Sequence, residues 1–437
     1  MTVLGFGRSG SAAALLAQAR GAALITIQDK RDAVDLDEDK VLEVAQHGFR
    51  LELGGHKLDT LLASDLIVVS PGVPPLAQIA SAEARGIPVV SEVELASWFV
   101  QAPCLAVTGT NGKSTVTALA GAMLAASGRP TFTGGNLGVP LSEVIGTPAT
   151  RADGVLVLEL SSYQLERTHT LRPRVAVLLN LTPDHLDRYP TMAEYGAAKQ
   201  RVFMNQRGDD HAVVPALDAV VASVARAGSA RVHTWGMREG DVRVVGTSIV
   251  DEAGETFALD QLKIRGNHNV ENAMAALVAA RLMGGTSVGM RKALGEFTGL
   301  PHRMQFVAEV NGVAYLDDSK ATNVGAAVKA LEGCDRPVVL VAGGRHKGGS
   351  YEPMRELLKA KGRAMVLIGE AREIMQRELG DVVQTQTAAG LAEAVQAAAK
   401  LAQNGDVVLL APACSSLDMF ADYEARGRAF ADAVRLL

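Results

Sequence analysis

Aromatic side chains are scarce in this chain of 437 residues, at 4% of the total. With a formal net charge of −5 and no lysine–arginine run, that scarcity excludes the usual footprint of a nucleic-acid binder. Cysteine is rarer still. Cys104, Cys334 and Cys414 are odd in number, far apart and without metal-ligand spacing, which argues for buried reduced thiols rather than a disulfide framework or a zinc site. No apolar run approaches the roughly 18 residues that would span a bilayer, so no integral membrane segment is expected. The chain opens directly on a strand-like VLGFG without a basic leader, and the expectation is a cytoplasmic protein, working as a monomer. What is present is ordinary for packed domains: 48% hydrophobic and 21% charged residues, in a length that suggests two to four domains.

Residues 103–117, PCLAVTGTNGKSTVT, organise the rest. Leu105 to Val107 read as a buried strand, Thr108 to Gly112 as a tight turn, and Lys113 onward as a helix, because Val116, Leu119, Ala120, Met123 and Leu124 recur at helical spacing. Gly109 and Gly112 permit positive φ angles that let the amides of Thr110 and Asn111 point inward at phosphate oxygens. The helix N-terminus adds partial positive charge, Lys113 would reach the terminal phosphates, and the Ser114 hydroxyl, with Thr115 behind it, would ligate magnesium. The pattern departs from the general phosphate-loop motif at its first glycine, where Val107 stands; the bland alternative is a turn carrying a surface lysine.

Residues 1–95 alternate short apolar runs with alanine-rich stretches, as parallel strands with crossover helices do. Their first loop, Gly5-Phe6-Gly7-Arg8-Ser9-Gly10, has the glycine spacing of a dinucleotide site, and Asp29 follows roughly 20 residues later. Gly7, Arg8 and Ser9, then Asp29 and Lys30, and Ser70 and Gly72 after a further strand, are candidate contacts for a nucleotide diphosphate. A nicotinamide cofactor and mere helix packing remain open at this point. Trp98 to Pro103 reads as a linker, which opens a second region, 96–298, at the phosphate loop.

In that region Gly134-Gly135-Asn136-Leu137-Gly138 reads as a glycine turn before a helix, with Asn136 facing a ligand. Glu159 ends the apolar run VLVLE, where a charge is costly unless paired or metal-bound, and magnesium prefers oxygen donors. Asp184 and His185 follow the strand Val175 to Leu179 and would emerge beside the phosphate loop if the sheet is parallel. Lys199, in YGAAKQRVF, reads as a solvated helix lysine. Residues 207–265 show short β-like runs with little chemistry, and His268, Asn269 and Asn272 open an alanine-rich helix where capping alone would explain an asparagine. Residues 299–437 alternate strands and helices again and carry three mixed loops: Asp317 to Asn323, Gly343 to Gly349, and Ala411 to Phe420.

GTNGKST, ELSSYQLE and NLTPDHLDRY, in this order, resemble the Mur ligase family of ATP-dependent amide-forming enzymes, which is itself similar to folylpolyglutamate synthases. SSYQL and TPDHLDRY are most similar to the D-glutamate-adding branch. The resemblance implies three α/β domains: a Rossmann-like N-terminal domain for a UDP-substrate, a central P-loop ATPase-like parallel sheet, and a Rossmann-like C-terminal domain that closes over the site with the amino acid. It implies ATP and magnesium as cofactors, UDP-N-acetylmuramoyl-L-alanine and D-glutamate as substrates, and an acyl phosphate on the way to the amide. It also implies that Lys199 is carbamylated and joins Ser114, Glu159 and His185 around magnesium. By the same likeness Asn269, Asn272, Arg303, Asp318 and Lys320 lie near ATP, and Thr322, Lys347, Ser416 and Tyr423 hold D-glutamate. A related ligase with another acceptor, a nicotinamide-dependent oxidoreductase and a non-catalytic nucleotide-binding module are the competing expectations.

Overall fold

A computed structural model describes residues 1–32, 41, 42, 44, 46–185, 188–226, 228–264 and 266–437. Leu186 and Asp187 of the motif NLTPDHLDRY, and Arg265 before the helix carrying Asn269 and Asn272, lie outside the described residues. Among those described, the strands form three sheets, one in each region.

The first sheet is parallel throughout, in the order β3-β2-β1-β4-β5, with β1 at Thr2–Leu4, β2 at Thr26–Gln28, β3 at Arg50–Glu52, β4 at Ile67–Val69 and β5 at Val89–Ser91. Its edge strand β3 has no counterpart in the sequence reading, because Leu51 is the one strongly apolar residue of Arg-Leu-Glu and such a stretch carries no periodic signal. The helix Arg8–Ala19 follows β1 directly.

The central sheet has nine strands. Its parallel part runs β7-β8-β6-β9-β10-β11-β12, from β6 (Cys104–Thr108), β7 (Thr131–Gly135), β8 (Val155–Glu159), β9 (Val175–Leu178), β10 (His211–Pro215), β11 (Arg231–Gly236) and β12 (Val242–Val245). An antiparallel tail of β13 (Ser248–Val250) and β14 (Thr256–Ala258) ends it. Strands β6 and β8 are buried on both faces, as expected of runs such as CLAVT and VLVLE that alternate nothing polar. The helix Lys113–Ala126 buries Val116, Leu119, Met123 and Leu124 fully, each contributing roughly 1.5–3 kcal/mol of transfer free energy.

Two expectations are corrected here. Gly134 and Gly135 belong to β7, so the turn begins only at Asn136, and two 3-10 turns, Leu141–Val144 and Pro148–Thr150, stand where a helix was expected. The glycine is needed for strand approach, since a Cβ on Gly135 would lie 2.6 Å from the Glu159 carbonyl oxygen. Lys199 is not solvated: the helix Met192–Gln200 turns it inward and leaves it 1% exposed.

The third sheet has the order β15-β16-β20-β17-β18-β19, made of β15 (Gln305–Val310), β16 (Val313–Asp317), β17 (Val338–Gly343), β18 (Gly362–Ile368), β19 (Gln384–Thr387) and β20 (Val407–Leu410). Only β15 is antiparallel to its neighbour. In all three regions the loops at the carboxyl ends of parallel strands carry the chemistry, the edge where ligands of such sheets lie.

Candidate active site

The tight turn forms with both glycines at positive φ, but the Thr110 and Asn111 amides, expected to point inward at phosphate oxygens, donate to Asn180 instead. Gly109 has φ +142° and Gly112 has φ +87°, and a Cβ at Gly109 would meet Leu179 Cβ at 3.0 Å, while one at Gly112 would collide with the Asn272 side chain. Asn180, at the end of the neighbouring β9, holds the loop from outside. Its carbonyl accepts from the Thr110 N–H at 3.0 Å, its Oδ1 from the Asn111 N–H at 2.9 Å, and its Nδ2 donates to the Asn111 carbonyl at 3.0 Å. Sequence reasoning passed over Asn180; its place one strand away from the loop was the available signal.

Two lysines converge on one carbonyl. Lys113 Nζ donates to Gly109 O at 3.0 Å and to Thr110 O at 2.7 Å, and Lys199 Nζ donates to Gly109 O at 2.7 Å from behind the loop. Burial lowers both ammonium pKa values, that of Lys199 far below the usual lysine range, and Lys113 adds to the effect on Lys199. Glu159 shows the opposite balance: burial would raise it, but Lys113 and Lys320 hold it below the ordinary carboxylate range. Its Oε1 accepts from Asn136 Nδ2 at 2.6 Å, whereas Oε2 is buried without a hydrogen-bond partner among the described residues. An anionic oxygen left in that condition fits a hard cation. No group of three or more His, Cys, Asp and Glu side chains that could hold a metal ion occurs among the described residues.

His185 sits in the left-handed region, at φ +55°, with its N–H donating to Asp184 Oδ1 at 2.9 Å. Burial, opposed by Asp184, pulls its imidazole down to about 4. From the third domain, burial pushes the Asp318 carboxyl up to about 7 and draws Lys320 down to about 8. Lys320 Nζ lies 3.9 Å from the centre of the Tyr423 ring. Arg303 stands between two left-handed residues, His302 and Met304, and its Nε is buried without a partner among the described residues.

Most of these groups line one cavity of about 1230 Å³ between the central and C-terminal domains. Thr110 to Ser114 line it with Asn136, Glu159 and His185; Asn269 and Asn272 border it from the helix Asn267–Leu282. Arg303, Asp318, Lys320, Thr322 and Lys347 line it from the third domain. Asn323, also passed over, crosses the gap: its Nδ2 donates to Asp184 Oδ2 at 2.9 Å, and Lys347 Nζ stands 4.0 Å from Asp184 Oδ1. Gly109, Thr115 and Lys199 lie behind the lining, and Ser416 and Tyr423 lie outside it.

The N-terminal candidates are not part of that cavity. Asp29 accepts from the Phe6 N–H at 2.7 Å and from the Arg31 backbone and guanidinium, which together hold it well below its usual value against the cost of burial. Both carboxylate oxygens are thereby engaged in shaping the first loop, which removes the free acceptor a nicotinamide cofactor's ribose would require. Ser70 donates to Gly5 O at 3.1 Å, and Arg8 pairs with Glu143 at 2.8 Å, tying that loop to the central domain; Gly7 belongs to the loop and Ser9 to the helix that follows it, and Lys30 and Gly72 follow strands β2 and β4.

A three-domain α/β chain with a lysine-bearing glycine loop facing basic and acidic loops of a second sheet has the architecture of an ATP-dependent ligase. Family models match in the same order along the chain: a Mur ligase MurD-like N-terminal domain over residues 1–91, a Mur ligase middle domain over 107–280, and a Mur ligase glutamate ligase domain over 302–414. The UDP-N-acetylmuramoylalanine--D-glutamate ligase of Geotalea daltonii is 45% identical over 442 residues, covering 100% of this chain and 97% of that protein. The ligase of the same name from Anaeromyxobacter dehalogenans is 45% identical over 98% of this chain and 96% of its own length. Among solved structures, MurF of Acinetobacter baumannii aligns with a TM-score of 0.64 at 18% identity over 99% of this chain and 93% of its own, a likeness of fold. UDP-N-acetylmuramate-alanine ligase MurC of Thermotoga maritima aligns with a TM-score of 0.63 at 18% identity, covering 100% and 99%. The chain belongs to the Mur ligase family. No described helix is long and apolar enough to cross a membrane.

Proposed function

We propose that this protein joins the amine of D-glutamate to the alanyl carboxylate of UDP-N-acetylmuramoyl-L-alanine, converting ATP to ADP and phosphate. The observation that carries the reading is the single cavity in which the phosphate loop meets Arg303, Lys320, Thr322 and Lys347 of another domain. The choice of substrates is supported by the names of relatives about as long as this chain and 45% identical to it.

In this reading residues 1–95 recognise the UDP-substrate through Gly7, Arg8, Ser9, Asp29, Lys30, Ser70 and Gly72, with Asp29 shaping the loop. Residues 96–298 bind ATP, and residues 299–437 bring the amino acid through Thr322, Lys347, Ser416 and Tyr423. A carboxylate oxygen is a poor leaving group and an acyl phosphate a good one, so the γ-phosphoryl group passes first to the alanyl carboxylate. The free amine then attacks the carbonyl carbon, and phosphate leaves. Three anionic partners must meet, and Lys113, with the partial positive charge of the helix N-terminus it opens, offsets their repulsion. Glu159, Ser114 and His185 would hold magnesium, together with Lys199 once carbamylated; the ion supplies charge neutralisation at the phosphates. Lys199 is suited to carbamylation, since a lowered pKa keeps a larger share of the amine neutral and nucleophilic toward carbon dioxide. Asn136, His185, Asn269, Asn272 and Asp318 orient the bound groups. Three buried free cysteines suit a reducing compartment, and we assign the reaction to the cytoplasm.

Phosphate release measured with the UDP-sugar acceptor against a panel of amino acids tests this. D-Glutamate alone should stimulate it; stimulation by another amino acid, or none by any, refutes the assignment.

A further inference from the structure

Behind His185 stands a group with no assigned part in the reaction. Tyr163 belongs to the one-turn helix Ser162–Leu165, which a reciprocal Ser161–Gln164 capping box fixes in place. Its hydroxyl is 2.7 Å from His185 Nδ1. The ring itself is clamped: the Arg188 guanidinium lies 4.3 Å from its centre, and Tyr189 stacks beside it at 6.1 Å. Arg188 is held in turn by Glu166, at 2.5 Å and 3.2 Å, and donates to the Val73 carbonyl at 3.2 Å. His185, for its part, is pinned at a left-handed backbone by N–H bonds from Arg188 and Tyr189 to its carbonyl at 3.0 and 2.9 Å. Its Nε2 is 3.6 Å from Asp184 Oδ2, beyond a good hydrogen bond, and is therefore not committed there.

An imidazole that must offer a lone pair at Nε2 needs its proton at Nδ1, and a hydroxyl oxygen held beside Nδ1 supports that choice when its own proton is directed elsewhere. We propose that Tyr163 is a positioning residue whose hydroxyl oxygen accepts the Nδ1–H of His185, so that Nε2 presents its lone pair to a divalent cation in the cavity. Part of this rests on the ligase reading above, since it takes the cavity as the magnesium–nucleotide site. The side chain that sets the tautomer thus lies on the Glu159 strand-end loop, so one loop supplies both an oxygen ligand and the alignment of a nitrogen ligand.

The test is Tyr163→Phe, which keeps the ring and its clamp. Long-range proton–nitrogen NMR on nucleotide-free enzyme labelled at histidine, with the His185 signal identified by its loss in His185→Gln, reads the tautomer directly. The expected wild-type signal carries the proton on Nδ1, and Tyr163→Phe moves it to Nε2. Manganese(II) titrated by EPR against the enzyme–ADP complex should bind roughly 10-fold more weakly in the variant, with an unchanged melting curve. A wild-type proton on Nε2 overturns the proposal, as does an unchanged tautomer or unchanged manganese affinity in Tyr163→Phe. If the variant fails to fold, the wild-type tautomer decides alone. Absence of an ADP complex in the wild type defeats the ligase reading, and the tautomer measurement still judges Tyr163.

Discussion

The two domain junctions of this protein are built from different materials. Between the N-terminal and central domains the apolar core is continuous: Phe6, Val93 and Leu95 pack in one cluster with Leu141, Leu160 and Leu165. Buried carboxylates stitch it further. Glu94 accepts from the Thr170 N–H at 2.7 Å, the Thr170 hydroxyl at 2.6 Å, the Leu171 N–H at 3.0 Å and the Trp98 indole at 3.1 Å, and Glu92 accepts from the Ser142 N–H at 2.6 Å. Between the central and C-terminal domains the apolar clusters stop on either side, and what faces across is a polar cavity crossed by Asn323 and Lys347 to Asp184. A junction of the first kind resists sliding because separating it exposes apolar surface; one of the second kind exchanges its contacts for water or ligand at small cost. Domain closure on substrates is therefore expected at the second junction.

Substitutions at the two junctions should separate activity from stability. Lys113→Ala, in the open junction, should lower ADP formation by at least about 100-fold while the melting temperature stays near wild type, since phosphate charge loses its principal counter-charge. Lys199→Ala should lower turnover severely; carbon-13 bicarbonate should give a carbamate NMR signal in the wild type that the variant lacks, and equal rates in the two proteins with and without bicarbonate would refute the carbamate.

In the sealed junction, Glu94→Gln should cost about 2–3 kcal/mol of stability, because an amide cannot serve the donors a charged carboxylate serves. Burial works against the Glu94 carboxylate, but its hydrogen bonds from the 169–171 segment leave the folded-state pKa below the ordinary value. Its stabilisation is thus fully present above the unfolded carboxyl pKa of about 4.3 and is lost as pH falls through the lower folded value. Melting curves of wild type and Glu94→Gln should converge on acidification; a gap that widened would contradict this sign. Asn323→Ala should cost no more than about 1 kcal/mol, yet small-angle scattering should show larger dimensions without ligands. Arg8→Ala breaks an exposed ion pair and should shift stability by at most about 1 kcal/mol.

Chemistry carried by one residue type at one strand end was legible in advance. The glycines of the phosphate loop advertise positive φ, Lys113 follows them directly, and Glu159 stands out as a charge ending an apolar run. Asn180 and Asn323 were not legible, since an asparagine in a loop reads as a cap or turn until its partner across a sheet or a domain gap is known. Lys199 misled the physical reading for a related reason: helix Met192–Gln200 is weakly patterned, so nothing local shows which face turns inward. The glycine pair at 134–135 read as a turn because two glycines normally are one; the pressure for them comes from the neighbouring strand.

Sequence alone, then, determined three α/β units, the phosphate loop and the acid that faces it, because strand and helix periodicities and glycine backbone freedom are local properties of the chain. Which lysine is buried, which domains share a core and which meet across water, and what hydroxyl stands behind His185 were decided only in the tertiary structure. Those are properties of pairs of residues far apart in the chain, and burial and hydrogen bonding depend on who the neighbour is.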